Sequence, residues 1–220
     1  MKAKGYSYSV IGKREINQDT SLVFDEVGLY AVADGIGGGL SGEVAADIAV
    51  EGLKNEVRKP DDLKSTILGL QTQILKEAIQ RFSEPIMGTT LTAVLVAEGK
   101  LHLCHVGDSR CYLLRDNRLQ QLTEDQEYYE ESLDSPVLAS YLGIPEPSQL
   151  LKIQEDTFSL VAGDQLVLCS DGLYRQLSET RIVKLLQGGL PGGELTKGLC
   201  AEASLADYSD NVTVVYVEIS

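Results

Sequence analysis

The chain has 220 residues, and 43% of them are hydrophobic, which is enough to build a sizeable core. Nineteen basic against 33 acidic residues give a net charge of −14, and no basic run could bind a phosphate backbone, which argues against nucleic-acid binding. Apolar stretches such as 91–97 are far shorter than the roughly 20 residues of a membrane-spanning helix. No apolar signal core follows Met1, so we expect a cytoplasmic protein.

The cysteines are widely spaced and each lies among apolar residues, with no C-x-x-C pair: Cys104, Cys111, Cys169 and Cys200. This pattern is typical of buried free thiols. It favours a reducing compartment and argues against a structural zinc site.

The amino-terminal half combines short strands with two helices. Strands are expected at 6–11, 21–24 and 29–33. Apolar residues at helical spacing follow Ser41, a candidate N-cap, and a second helix is predicted over 61–82. The glycine run 35–39 lacks the features of a P-loop or a dinucleotide fingerprint and is compatible with a simple tight turn.

From residue 89 onward the two-residue period of antiparallel strands dominates. Strands are expected at 90–96, 101–106, 111–115, 119–122, 157–161, 165–169 and 212–219, and helices at 178–186 and 194–205. Asp116-Asn117 predicts a hairpin turn. We expect His102 and His105 on one face of their strand, without a catalytic role.

The absence of repeats and linkers predicts one domain over residues 1–220. A polar, proline-containing segment at about 123–149 is predicted to be a surface excursion. Blocks of consecutive strands between helical segments predict an α+β layered sandwich with antiparallel sheets rather than a βαβ alternation.

Five aspartates share a local pattern, because each lies next to a predicted strand: Asp19, Asp34, Asp108, Asp171 and Asp210. Any one of them could be an ordinary turn residue. Taken together, carboxylates at strand ends can converge, and a cluster of them is costly to desolvate without cations. A site made only of oxygen ligands suits Mg²⁺ or Mn²⁺, so the sequence predicts a binuclear metal centre.

Six motifs then occur in a familiar order: 14–19 (REINQD), 32–38 (VADGIGG), 88–90 (GTT), 106–110 (VGDSR), 169–173 (CSDGL) and 210–215 (DNVTVV). From about residue 6 to the end, the chain resembles bacterial-type metal-dependent serine/threonine protein phosphatases of type 2C, the PPM family. The resemblance implies two stacked antiparallel β-sheets flanked by helices, with the metals in a cleft at one end of the sandwich.

The resemblance also implies roles for individual residues in the metal centre. Asp34 corresponds to the carboxylate that bridges two metal ions, and the Gly35 carbonyl to a ligand of one of them. Asp171 and Asp210 correspond to ligands of the other ion. Asp108 corresponds to a carboxylate that, together with Asp171, helps to bind a third ion.

The resemblance also implies residue roles in catalysis and in substrate binding. Asp19 corresponds to an acidic residue that holds metal-bound water, and Arg14 to an arginine whose planar fork holds the substrate phosphate. The implied reaction is hydrolysis of phosphoserine and phosphothreonine by a water that bridges two Mn²⁺ or Mg²⁺ ions. The expected partners are phosphoproteins and a cognate Ser/Thr kinase, and a monomer is expected.

Two positions depart from the family pattern. Ile36 stands where some members carry a histidine thought to protonate the leaving oxygen, so the general acid must be water, another group, or unnecessary for an activated leaving group. The segment after Thr123 is acidic and shorter than the usual flap, which bears on substrate choice and on the third ion.

Two other functions remain open from the sequence. A catalytically silent phosphatase-like module could keep the fold and bind a phosphoprotein or kinase, although such a relative would normally have lost a carboxylate ligand. A metal-dependent nuclease would fit the carboxylates but not the absence of a basic surface.

Overall fold

The structure is a computed structural model that describes residues 2–36, 41–130, 136–145, 151–205 and 210–220. The strands are β1 (Ala3–Val10), β2 (Asp19–Phe24), β3 (Leu29–Ile36), β4 (Gly88–Thr89), β5 (Leu91–Ala97), β6 (Lys100–Val106), β7 (Arg110–Arg115), β8 (Arg118–Gln121), β9 (Glu127–Tyr128), β10 (Val137–Leu138), β11 (Gln154–Ser159), β12 (Gln165–Cys169) and β13 (Val212–Ile219). The helices are α1 (Gly42–Glu56), α2 (Pro60–Phe82), α3 (Asp171–Tyr174), α4 (Glu179–Leu186) and α5 (Gly192–Ala203).

Two antiparallel sheets form the centre of the molecule. One has the order β1-β13-β12-β7-β8, and the other has the order β11-β6-β5-β3-β2 with β4 paired to β3. The apolar side chains between the sheets include Tyr30, Val32, Leu103, Leu168 and Val217. Because strand side chains alternate, the same strands also present apolar residues to the outer layers of helices.

Each outer layer has its own apolar cluster. Ala31, Leu95 and Val106 of one sheet pack with residues of α1 and α2, such as Leu53 and Ile67. Residues of α4 and α5 pack in the same way on the outer face of the other sheet. The helix–sheet–sheet–helix arrangement confirms the predicted α+β sandwich, and it fixes the strand ends that carry the acidic residues.

Several local predictions are also confirmed. Asp116 and Asn117 both adopt positive φ, at 50° and 65°, as the two-residue turn between β7 and β8 requires. All four cysteines are buried and free. In the parts of the chain that the structure describes, no helix is long and apolar enough to cross a membrane.

The histidine prediction was wrong, because residues three apart in a strand face opposite sides. His105 is fully buried and its Nδ1 lies 2.9 Å from Thr92 Oγ1. His102 is only half-buried and lies 3.4 Å from Thr157 Oγ1 on the edge strand β11. Both histidines therefore have structural hydrogen-bond partners outside the acidic cleft.

Other differences concern element boundaries. β11 begins at Gln154 rather than at 157, because its polar, exposed side chains give no apolar alternation to detect. Ser41 occupies the predicted N-cap position of α1, but it has a positive φ and its side chain makes no capping bond. The predicted loop residues 37–39 lie outside the described residues.

The segment predicted as a surface excursion contains paired and buried residues. Within its described part, β9 pairs with β10, and Leu142 is buried in the core beneath α1 and α2. Residues 131–135 and 146–150 lie outside the described residues. The single-domain organisation remains a prediction.

The close packing of α3 against the start of β13 can be tested directly by substitution. A Cβ at Gly172 would collide with the backbone carbonyl oxygen of Asn211. We expect Gly172→Ala to destabilise the fold by about 2 kcal/mol or more, because backbone must move. The matched control is Gly198→Ala in α5, where a Cβ meets nothing within 4 Å.

For Gly198→Ala we expect the free energy of unfolding to rise by about 0.4–1 kcal/mol, because alanine reduces the conformational entropy of the unfolded chain. Urea denaturation of both variants measures the difference. Equal stability of the two variants would contradict the close approach of α3 and β13.

Candidate metal centre and active site

The five predicted aspartates meet at one end of the sandwich. Asp19 opens β2, Asp171 opens α3 directly after β12, and Asp210 comes two residues before β13. Asp34 lies near the end of β3, and Asp108 lies between β6 and β7. The antiparallel pairing places these strand ends side by side, so carboxylates distant in sequence converge.

These ends surround a cleft of about 270 Å³. Its lining includes four of the five aspartates and the predicted phosphate-binding arginine: Arg14, Asp34, Asp108, Asp171 and Asp210. Gly35 and Ile36 also line it. Asp19 lies beneath the cleft, directly opposite Asp34 in the β2–β3 register.

Neutral hydrogen-bond donors hold the floor of the cleft. Ser170 Oγ donates to Asp19 Oδ2 at 2.7 Å, and Ser170 Oγ itself accepts from the amide of Thr213 at 3.0 Å. The backbone of Asp34 is held on both sides by Thr90, whose amide donates to the Asp34 carbonyl at 2.8 Å and whose Oγ1 accepts from the Asp34 amide at 3.0 Å. These bonds fix the Asp19 carboxylate and the Asp34 backbone, so the two residues cannot separate without breaking them.

Asn211 fixes the loop that carries Arg14. Its Nδ2 donates to the carbonyls of Ile11 and Ile16 at 2.9 and 3.0 Å, and its Oδ1 accepts from the Gln18 amide at 2.8 Å. The side chain is buried, so these bonds satisfy all of its polar atoms. This anchor brings the 11–18 loop against Asp210.

Two arginines contact three of the carboxylates. Arg14 Nη2 donates to Asp210 Oδ2 at 2.5 Å. Arg175 Nε donates to Asp171 Oδ2 at 2.8 Å, and its Nη2 donates to Asp108 Oδ2 at 3.0 Å. The predicted phosphate ligand Arg14 is thus in the cleft, but here it is paired with a carboxylate.

Burial and crowding in the cleft disfavour the ionised forms of its carboxylates. Burial raises the pKa of Asp19 to about 6 and that of Asp171 to about 7, and neighbouring carboxylates add to both increases. Burial and four carboxylate neighbours hold the pKa of Asp34 well above its ordinary value. Burial also raises the pKa of Asp108, although Arg175 opposes this.

The donor set fits hard divalent cations. Asp19 Oδ1 and Asp171 Oδ1 are buried, and neither has a hydrogen-bond partner within the described residues. Buried carboxylate oxygens without partners are costly unless a cation lies nearby. An all-oxygen set suits Mg²⁺ or Mn²⁺.

No three acidic, histidine or cysteine side chains of the described ranges already form a closed ligand shell. The carboxylates instead line a shared cleft, and the arginines hold three of them. Closing a shell around ions would therefore require these side chains to turn toward one another.

Sequence reasoning assigned no role to several residues that shape the site, among them Arg175, Glu127 and Ser170. Arg175 and Glu127 form a charged bridge to the cleft, with 2.9 Å between Nη2 and Oε2, and Ser170 supports Asp19. Two of these three left a signal, because Ser170 lies in the 169–173 motif and Arg175 follows Asp171 at the helical i+4 spacing. Glu127 could not be found, since its position depends on the β9–β10 pairing.

Comparisons with known proteins agree with this architecture. The sequence signature of the family Protein phosphatase 2C matches residues 7–207. The serine/threonine phosphatase stp of Listeria welshimeri is 32% identical in an alignment 231 positions long, which covers 93% of this chain and 91% of that protein.

Two solved structures extend the likeness to the fold. PppA, a regulatory component of T6SS in Pseudomonas aeruginosa, superposes with a TM-score of 0.90 at 27% identity, covering 100% of this chain and 99% of the other. The catalytic domain of the phosphatase PstP in complex with two manganese ions superposes with a TM-score of 0.83 at 30% identity, covering 99% and 98% of the two chains.

The fold and the acidic cleft thus define a phosphatase-type hydrolase. The chain belongs to the protein phosphatase 2C family of serine/threonine protein phosphatases.

Crowding of the carboxylates predicts an unusual pH dependence of the metal-free protein. Because the pKa values of Asp19 and Asp171 are raised on folding, the native state retains protons that the unfolded state has lost. The stability that these groups contribute is complete below about pH 4 and is lost as the pH rises through 6 to 7. We therefore expect the melting temperature in EDTA to fall between pH 5 and 8.

Thermal melts of the wild type and of Asp171→Asn, in EDTA across this range, measure the effect. The variant should show a shallower fall, because it removes one of the titrating groups. Asp156→Asn, in β11 and away from the cleft, is the matched control and should behave like the wild type. Parallel curves for all three proteins would contradict the crowding.

Proposed function

We propose that the chain hydrolyses phosphoserine and phosphothreonine esters of proteins with two Mn²⁺ or Mg²⁺ ions. Asp34, Asp171, Asp210 and the Gly35 carbonyl would hold these ions. The observation that carries the proposal is the convergence of the carboxylates on one cleft, where Asp171 presents a buried oxygen without a hydrogen-bond partner. When bound, two divalent ions supply an activated water and positive charge for the phosphoryl oxygens.

The acidic surroundings make such ions necessary for this substrate. A phosphomonoester dianion approaching a chain of net charge −14 would meet a cleft lined by four aspartates. Arg14 is the basic residue best placed to receive the phosphate, because its side chain is 61% exposed at the cleft. The bond to Asp210 uses one of its five N–H donors, which leaves donors for phosphate oxygens.

Asp19 would position the attacking water and receive a proton. Ser170 fixes its Oδ2, and its Oδ1 lies buried without a partner in the described structure. With divalent ions bound in the cleft, their positive charge would keep the Asp19 carboxylate ionised, so that it could accept a proton from the attacking water. Ile36 lines the cleft where some relatives carry a histidine, and its apolar side chain cannot protonate the leaving oxygen.

A catalytically silent module is the weaker candidate. A silent relative would be expected to have lost a ligand, whereas Asp34, Asp108, Asp171 and Asp210 all line the same cleft here. Phosphoproteins are the proposed partners, and a Ser/Thr kinase that makes them would be a natural counterpart.

Removal of the central carboxylate tests the metal-dependent function. We expect Asp34→Asn to reduce Mn²⁺-dependent turnover of p-nitrophenyl phosphate by at least about 10²-fold, because a charged ligand is lost from between the proposed ions. Mn²⁺ at about 100 times its dissociation constant should stabilise the wild type by roughly 2.7 kcal/mol and the variant by much less.

Assays and melts in EDTA, Mn²⁺ and NaCl of matched ionic strength separate specific binding from screening. Asp156→Asn provides the charge-matched control. Near-normal turnover of Asp34→Asn, or equal melting temperatures in all three solutions, would contradict the proposal.

The role of Arg14 leads to a separate prediction. Because a phosphate clamp acts before and during transfer, Arg14→Ala should raise KM for a phosphothreonine peptide by about 10-fold or more, with a smaller change in kcat. Inhibition by inorganic phosphate should weaken in parallel. Steady-state kinetics of the wild type, Arg14→Ala and Arg14→Lys measure the effect.

Lysine should restore only part of the binding, because it lacks the planar fork. Unchanged KM and unchanged phosphate inhibition in Arg14→Ala would remove Arg14 from the phosphate site.

A further inference from the structure

The guanidinium of Arg175 lies between two of the cleft carboxylates. Its Nε donates to Asp171 Oδ2 at 2.8 Å and its Nη2 to Asp108 Oδ2 at 3.0 Å. The same Nη2 donates to Glu127 Oε2 at 2.9 Å. One side chain thus contacts three carboxylates that come from α3, β9 and the turn after β6.

Two further contacts fix this guanidinium in place. The backbone amide of Arg175 donates to the Asp171 carbonyl at 3.0 Å, which sets the side chain one helical turn beyond Asp171. The ring of Tyr174 lies 5.6 Å from the Arg175 guanidinium, and its hydroxyl donates to the Asp108 carbonyl at 3.1 Å. Arg175 is therefore oriented by the same short helix that carries Asp171.

The two carboxylate oxygens of Asp171 have different surroundings. Oδ2 accepts from Arg175, whereas Oδ1 is buried without a partner in the described structure. Oδ1 therefore remains for an ion of the proposed pair. On Asp108, the corresponding interaction with Arg175 takes Oδ2.

A divalent ion between Asp108 and Asp171 would compete directly with this guanidinium. Such an ion needs carboxylate oxygens at about 2.0–2.2 Å, and it would lie next to a fixed positive charge. Arginine cannot release a proton in proteins, so a change of pH would not relieve the competition. Displacing the guanidinium would also leave Glu127 without this hydrogen bond.

We propose that Arg175 is a built-in cation of this site, so that the chain binds two divalent ions and its own guanidinium excludes a further ion from between Asp108 and Asp171. This inference rests on the proposed metal-dependent function and departs from the third ion that the resemblance implies. Arg175 is then a positioning residue, which holds Asp171 and connects it to β9.

The number of Mn²⁺ ions bound by the full chain tests the proposal. Equilibrium dialysis with elemental analysis, using Mn²⁺ alone as the probe, should give about two ions per wild-type chain. Arg175→Met should raise the number to about three, and the double variant Arg175→Met/Asp108→Asn should return it to two. Arg175→Lys should stay at two, because an ammonium group can still pair with the carboxylates.

Arg181→Met is the matched control, since it removes an arginine that pairs with Glu202 in the α4–α5 layer. It should bind two ions, which shows that the loss of one positive charge alone does not recruit a third. Two ions on Arg175→Met, or three on Arg181→Met, would overturn the proposal.

A comparison without any Arg175 variant keeps the test independent of folding defects. Asp108→Asn in the wild-type background should leave the number at two, because no ion binds to Asp108 while Arg175 is present. If the wild type binds three ions and Asp108→Asn binds two, the proposed role of Arg175 is refuted, but the proposed metal-dependent function is not. A wild type that binds no Mn²⁺ would refute the proposed function as well.

Discussion

Repulsion among carboxylates at one end of the β-sandwich is the constraint on which the rest of the site depends. Asp19 and Asp34 lie directly opposite each other on neighbouring strands, where like charges destabilise a sheet. Their backbones belong to the core sheet, so they cannot separate without breaking its hydrogen bonds. The protein must therefore neutralise them, by protonation, by arginines or by cations from solution.

The two arginines neutralise the cluster only in part. Arg14 contacts Asp210, and Arg175 contacts Asp108 and Asp171. The Asp19 carboxylate accepts a hydrogen bond from Ser170, whereas Thr90 bonds to the backbone of Asp34 and not to its carboxylate. This arrangement leaves the middle of the cleft as the place where added positive charge lowers the free energy most. In the proposed function, this lower stability of the metal-free protein is the counterpart of its affinity for divalent ions and, through them, for a phosphate.

The sequence was sufficient for the features that depend on local pattern. Apolar periodicity predicted the sheets and the long helices, and the position of each aspartate beside a strand predicted their convergence. It was not sufficient for features created by tertiary contacts. The β9–β10 pair has two-residue strands, too short for a period, and Glu127 enters the site only through that pair.

The ion pairs of Arg14 and Arg175 also depend on tertiary contacts that the sequence pattern does not predict. The motif around Arg14 predicted its place at the cleft, but the bond to Asp210 depends on Asn211, which ties the 11–18 loop to the start of β13. Arg175 lies four residues after a predicted ligand, yet only the fold brings Asp108 within its reach. Charge pairs across distant strands are decided by packing rather than by spacing along the chain.

Diffraction from crystals of the protein soaked in Mn²⁺, recorded where manganese scatters anomalously, would test the central claim most directly. We expect two anomalous peaks about 3.5–4 Å apart, with Asp34 between them and Asp171 and Asp210 beside one of them. Crystals of Asp34→Asn should lose at least one peak. Crystals that show no peak within bonding distance of Asp34 at millimolar Mn²⁺ would contradict the claim that divalent cations resolve the crowding of these carboxylates.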